Sequence, residues 1–332
     1  MKMSTKIMAI NTLILSTILV MSSETWFSMW IGLEINMLSF IPLIEKQKNM
    51  NSSESKMMYF LIQSMSSITF LFLIIMNPLL IMTTNMTSEI IMIMMSMTMF
   101  MKMGMTPFHM WFVNMINKIS WSTCMILMTW QKIAPMFILS NLKMNNQMTM
   151  IMAIMSAVMG AIGGLNHLLK IMAFSSINHM GWMFICMKYQ NEMWMKYLMI
   201  YSIMTITMIL FMKTNSMNFI NQMNMNTKTK TKKIMILIMM LSMGGLPPFI
   251  GFLPKWMVIQ SLISSNQIFT LLVLMMTSMI TLFYYMRIIS PIIMEMSSTN
   301  KYNTEMQKKN SFIMTNMLIN TMLPMSLLMK LM

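Results

Sequence analysis

Between Lys56 and Glu89 the chain carries no charged residue, and most of that stretch is methionine, isoleucine, leucine or phenylalanine. A helix rises about 1.5 Å per residue, so residues 58–82 alone are long enough to cross a hydrocarbon layer about 30 Å thick. The pattern recurs along the whole sequence. Cutting it at polar clusters leaves about eleven apolar segments of bilayer length: 7–23, 26–44, 58–82, 89–114, 120–140, 148–165, 171–188, 195–212, 234–263, 268–290 and 312–329. Only 9% of residues are charged, whereas a soluble domain carries about 25%. The expectation is an all-α polytopic membrane protein, with the 332 residues forming one transmembrane domain of about eleven helices. The opening "MKMSTKIMAINTLILSTILV" has lysines before an apolar run but no small-residue cleavage site, so it reads as a retained first span.

The net charge of +15 does not point to nucleic acid, because the basic residues sit in separated loops. They report topology instead. With the N-terminus on side A, that side receives sixteen of the 23 basic residues. They include Lys46, Lys48, Lys56, Lys118 and Lys170, the cluster Lys228–Lys233, and Arg287. Side B receives only Lys143, Lys188, Lys196 and Lys330. This asymmetry follows the positive-inside rule and assigns side A to the cytoplasm-like face, which in a mitochondrion is the matrix. The 63 methionines exceed any packing need and match the codon bias of an AT-rich mitochondrial genome.

Three basic residues fall inside spans: Lys102, Lys132 and Lys255. Lys102 lies roughly 20 Å along its helix from Glu89, and Lys132 roughly 18 Å from Ser120. Glu34 is about 15 Å from both Glu24 and Glu45. A charge at mid-bilayer depth costs about 2.5–3.5 kcal/mol on insertion scales, so it needs a reason. One reason is a structural Lys–Glu pair that locks helices, but this leaves two lysines without an acidic partner. The other is a proton relay, for which desolvated lysine is suited. His179, well inside its span, and His109 are candidates for the same relay or for hydrogen-bonded interior positions. His167 falls in a short side-A turn and reads as a surface residue.

A repeat accompanies the lysines. "GMTPF" (104–108) and "GLPPF" (245–249) share G-x-x-P-F. Gly104 and Pro107 interrupt one span; Gly244, Gly245, Pro247 and Pro248 interrupt the other. The span count gives the two opposite directions, which is the pattern of inverted repeats with two broken helices. Other chemistries lack support. Cys124 and Cys186 lie far apart with no CxxC, and neither GxGxxG nor GxxxxGK[ST] occurs, so no metal or cofactor site is expected in this chain.

The segments "WIGLEINMLSFIPL" (30–43), "KMGMTPFHMWF" (102–112), "LMTWQKIAPM" (127–136), "IGGLNHLLKIMAFSSINHMGWM" (162–183) and "LSMGGLPPFIGFLPKW" (241–256) closely resemble the NADH–ubiquinone oxidoreductase chain 2 family. These are mitochondrially encoded membrane-arm subunits of respiratory complex I, similar to subunits of cation/proton antiporters. The resemblance implies an antiporter fold shortened to eleven helices. It implies a proton path through Glu34, Lys102, Lys132 and Lys255, with His179 as a link. It also implies a mitochondrial inner-membrane location, the lipid bilayer and other membrane-arm subunits as partners, and no nucleic acid. NADH, FMN, iron–sulfur clusters and ubiquinone would belong to partner subunits, which supply the driving force of an H⁺-translocating NADH:ubiquinone reductase. Family members carry a longer segment after "GGLN" ending in Arg-Lys; "NHLLK" here is shorter and lacks the arginine, so no role carries over to His167. A free-standing cation/proton antiporter and a passive scaffold subunit remain as alternatives.

Overall fold

The computed structural model describes residues 3–44, 50–81, 85–142, 145–163, 167–189, 193–226, 229–297 and 320. The expected last span, 312–329, lies outside the described residues except at residue 320. The described residues form fourteen α-helices and contain no β-strand, only an isolated bridge between His167 and Phe219. Six helical segments are long and apolar enough to cross a membrane: Ser4–Ser22, Trp26–Ile44, Met50–Asn77, Trp121–Asn141, Met193–Thr214 and Ile268–Met294. Gln147–Ile162 is a shorter apolar helix. The chain divides into two compact units, Met1–Met152 and Ala153–Met332.

The first unit holds α1 (Met3–Ser22), α2 (Trp26–Ile44), α3 (Met50–Ile81), α4 (Asn85–Met103), α5 (Met110–Ile116), α6 (Trp121–Met128) and α7 (Ile133–Asn141), with a 3₁₀ turn at Trp130–Lys132 before α7. It ends within α8 (Asn146–Ile162). Helix α7 packs against α1, α2 and α4, so the residues at its start reach the interior of the unit. The span expected as one helix over 120–140 is therefore interrupted. Pro135 explains the place: it has no N–H for the carbonyl of Gln131, and its ring crowds that carbonyl. Lys132 sits on this irregularity.

The second unit continues α8 and adds α9 (Leu168–Tyr189), α10 (Met193–Thr214), α11 (Ile220–Asn226), α12 (Lys230–Gly244), α13 (Phe252–Ser264) and α14 (Ile268–Ser297). Helix α9 is buried from Leu168 to Met187 except at Lys170, and it packs against α10, α13 and α14. Its tight approach to α8 depends on small residues. A Cβ on Gly160 would lie 2.5 Å from the Asn178 backbone nitrogen, and one on Gly181 2.6 Å from Ser156 Oγ. Ala153, Ser156, Ala157 and Gly160 thus form a small-residue seam of the kind that lets membrane helices touch closely.

The outward faces are apolar. On α3, Met57, Leu61, Met65, Ile68, Phe72 and Ile75 are exposed at spacings of three and four. On α14, Phe269, Leu272, Met276, Met279 and Phe283 are likewise exposed. Such stripes suit a lipid solvent, while the polar and charged intramembrane residues turn inward.

Candidate functional site

Both G-x-x-P-F segments end a helix in the same way. At the first, the Gly104 N–H donates to Met101 O (3.4 Å) and the Met105 N–H to Phe100 O (3.0 Å). At the second, the Gly245 N–H donates to Ser242 O (3.0 Å) and the Leu246 N–H to Leu241 O (3.4 Å). This paired pattern is the Schellman motif, which needs a left-handed residue just past the helix. Gly104 has φ +68° and Gly245 φ +76°, a region where a side chain is strained. Each motif continues into a turn closed by its phenylalanine, Phe108 N–H to Met105 O (2.9 Å) and Phe249 N–H to Leu246 O (3.0 Å). The prolines lie within these turns, where no helical hydrogen bond is lost.

Each break frees carbonyls in an apolar setting, and each is supplied with a buried donor. The Gln63 amide, on α3, donates through Nε2 to Lys102 O at 2.9 Å. The Lys255 Nζ, on α13, donates to Gly244 O at 2.8 Å. The three intramembrane lysines are buried: Lys102 is 7% exposed, Lys132 2% and Lys255 5%.

In the first unit a small cavity joins two of them. Its volume at water-centre positions is about 20 Å³, and its walls include Leu33, Asn36 and Met37 of α2, Tyr59 and Gln63 of α3, Lys102, Trp111 and Phe112, and Gln131, Lys132 and Pro135. Lys132 Nζ also lies 5.8 Å from the Phe112 ring centroid, within cation–π range. Glu34 is half-buried and is not among the cavity's lining residues. Among the described residues it does not close to ion-pair distance with Lys102, though its charge acts on Lys102 through space. Their interaction is thus longer-range than an ion pair, and α2 presents Leu33, Asn36 and Met37 to the cavity. His109 is buried at the start of α5 and does not line it.

In the second unit His179 and Lys255 address the same stretch of α9. His179 Nδ1 is hydrogen-bonded to Tyr197 Oη at 2.9 Å, and its ring leans on Tyr201 with centroids 5.1 Å apart. Trp182, one helical turn on, receives Lys255 Nζ at 5.8 Å from its ring centroid. The His167 ring packs on Phe219 at 4.8 Å in a loop contact, in keeping with its reading as a peripheral residue. Among the described residues no cluster of His, Cys or Glu has metal-binding geometry.

Sequence reasoning missed Gln63, Asn36, Gln131 and Tyr197. The available signal was the amide or phenol itself. Such groups inside an apolar span must find partners, and Asn36 and Gln131 flank residues already singled out.

Comparison with known proteins accounts for this arrangement. Residues 23–281 match the family described as NADH:quinone oxidoreductase/Mrp antiporter, TM. The NADH-ubiquinone oxidoreductase chain 2 of Anopheles gambiae is 40% identical over 308 residues, covering 90% of this chain and 88% of that protein. That of Bos taurus is 36% identical over 330 residues, covering 96% and 95%. In fold, the chain is similar to one in the respiratory complex I from Thermus thermophilus with bound aureothin, with TM-score 0.79, 18% identity and coverage of 87% of this chain and 70% of that one. A membrane protein with buried lysines at broken helices, alike in sequence across most of its length to these relatives, belongs to the NADH-ubiquinone oxidoreductase chain 2 family of the NADH:quinone oxidoreductase/Mrp antiporters.

Proposed function

We propose that the chain is an antiporter-like membrane-arm subunit of a proton-pumping NADH:ubiquinone oxidoreductase in the mitochondrial inner membrane, and that its buried lysines carry the protons. Glu34 biases Lys102 electrostatically, the cavity connects Lys102 to Lys132, and His179 and Lys255 serve the later steps toward side B. The observation that carries this reading is the cavity itself, lined by two of the three lysines that the sequence places at mid-membrane depth. Glu34 and Lys102 do not close to ion-pair distance, which favours the relay over a lock between these two groups. Moving a proton against the membrane potential costs about 2.3 kcal/mol per 100 mV, and no group on this chain supplies it. The driving force belongs to partner subunits that hold the flavin, iron–sulfur clusters and quinone site.

The eleven-span topology, with inverted repeats and the N-terminus in the matrix, is part of the proposal. Four contacts support it, because each joins segments that the span count puts on one side. Lys118 pairs with Glu54, both on side A. Asn145 Nδ2 donates to Glu89 Oε2 at 2.9 Å, both on side B. His167 bridges to Phe219, and Arg287 shares a pocket with Phe219 and Asn221, all on side A.

The test is replacement of Lys102 or Lys132 by Met in the assembled complex, with proton translocation measured per electron from NADH. Loss of translocated protons in both variants is expected. Unchanged stoichiometry and rate in both would reduce the subunit to a scaffold.

A further inference from the structure

Three polar atoms on the cavity walls meet no hydrogen-bond partner in the protein: Asn36 Oδ1, Trp111 Nε1 and Gln131 Nε2. All three atoms are themselves buried, so bulk water does not reach them. Buried polar groups of this kind are nearly always bonded, to protein or to ordered water. Here the three residues that carry them come from three elements, α2, α5 and the 3₁₀ turn, and line one space. From this arrangement we infer that Asn36, Trp111 and Gln131 form a binding cradle for an ordered water held between Lys102 and Lys132.

The stoichiometry of donors and acceptors fits one water. The Asn36 carbonyl oxygen accepts one O–H, and either the indole or the amide N–H donates to one lone pair. One lone pair then remains to accept from a lysine ammonium on one wall, and one O–H to donate to the lysine amine on the other. The space is about 20 Å³ at water-centre positions, while a water needs only about 10–15 Å³ and two to four polar partners. Gln63 shares the wall but is committed elsewhere, since its Nε2 is bonded to the Lys102 carbonyl. The cradle therefore adds a specific function to residues that carry no charge. It holds the intermediate carrier by which a proton passes between two ammonium-forming groups without direct contact. This inference rests on the relay reading and deepens it.

The test is made on the intact complex. A density map that resolves internal waters should show one within hydrogen-bond distance of Asn36 Oδ1 and of Trp111 Nε1 or Gln131 Nε2. Asn36→Leu and Gln131→Leu fill similar volume without polar atoms. Each should slow proton transfer roughly tenfold, the upper range for losing one neutral hydrogen bond. Asn36→Ser keeps an acceptor and makes room for water, so it should retain most of the rate; a purely packing role predicts the reverse order for Leu and Ser. If Asn36→Leu does not assemble, Gln131→Leu and the map decide. A dry cavity closed by direct side-chain bonds, or wild-type pumping by both leucine variants, would overturn the cradle. Should Lys102→Met still pump normally, the relay reading itself fails; if Lys102→Met is dead and the leucine variants pump, only the cradle fails.

Discussion

Gly245 is the residue at which backbone geometry and intramembrane charge are most tightly coupled. It ends α12 at φ +76°, and a Cβ built there would lie 2.9 Å from Cδ, Cε and Nζ of Lys255. Gly245→Ala should act in two ways. The left-handed backbone costs an ordinary side chain about 1–2 kcal/mol. The new methyl also meets the flexible end of Lys255 rather than backbone, so the lysine moves, and its 2.8 Å bond to Gly244 O is lost. A hydrogen bond to a charged group contributes about 1.5–3 kcal/mol, so the second effect is the larger. Gly245→Asn separates the two, because asparagine tolerates the left-handed region while its Cβ still displaces Lys255. Thermal unfolding of the assembled complex should show Gly245→Asn more stable than Gly245→Ala, while proton translocation per electron falls in both. Full translocation in Gly245→Asn, with Lys255 shifted in its structure, would refute the claim that the seat on Gly244 matters to function.

Other outcomes follow from the same geometry. Gly104→Ala should be worse tolerated than Gly245→Ala, because its Cβ would lie 2.5 Å from Phe112 Cβ, an atom fixed by the α5 backbone; complex assembly yield measures this. Tyr197→Phe removes only the hydroxyl bonded to His179 Nδ1, so assembly should survive while the pH profile of proton translocation shifts; an unchanged profile would leave His179 outside the relay. Gly160→Leu should abolish assembly, since the α8–α9 seam has no space beside the Asn178 backbone. Lys118→Ala, which breaks an exposed pair with Glu54, should cost no more than about 1 kcal/mol in thermal unfolding and leave pumping intact.

Much of the fold was legible because a bilayer leaves so few choices. Apolar length fixes spans, and Gly and Pro at depth mark breaks, so Gly104 and Gly245 could be placed before any coordinates. The lysines were legible for the same reason: an ammonium at mid-span is conspicuous where Met and Ile surround it. What was not legible lies across helices. Spacing along α2 puts Glu34 at the right depth but does not say which neighbour it faces, and the direct pair with Lys102 is not formed. The 3₁₀ turn at Lys132 was not legible because Pro135 lies three residues away, and membrane helices often carry a proline without a break. Gln63 and Tyr197 were passed over because neutral polar groups attract notice only once their partners are seen.

The placement of the lysines then has a common physical basis. A helix end carries about half an elementary charge, negative at the C-terminus. Lys102 belongs to the last turn of α4, and Lys255, although it lies in the first turn of α13, reaches back to the terminal carbonyl of α12. Lys102 therefore belongs to, and Lys255 reaches, a negative helix end that exists only because a glycine break creates it. Lys132 is different: its backbone caps the start of α7, where the helix field has the opposite sign. A proton shared across the cavity thus meets unequal fields at its two walls. A small change in the charge felt by Lys102, of the kind Glu34 can impose through space, then suffices to alter which wall holds it. Straightening the first break with Gly104→Ala plus Pro107→Ala should remove that asymmetry at its source. Such a variant, if it assembles, should lose coupled pumping even with Lys102 and Lys132 both in place; normal pumping by it would mean that the breaks serve packing alone.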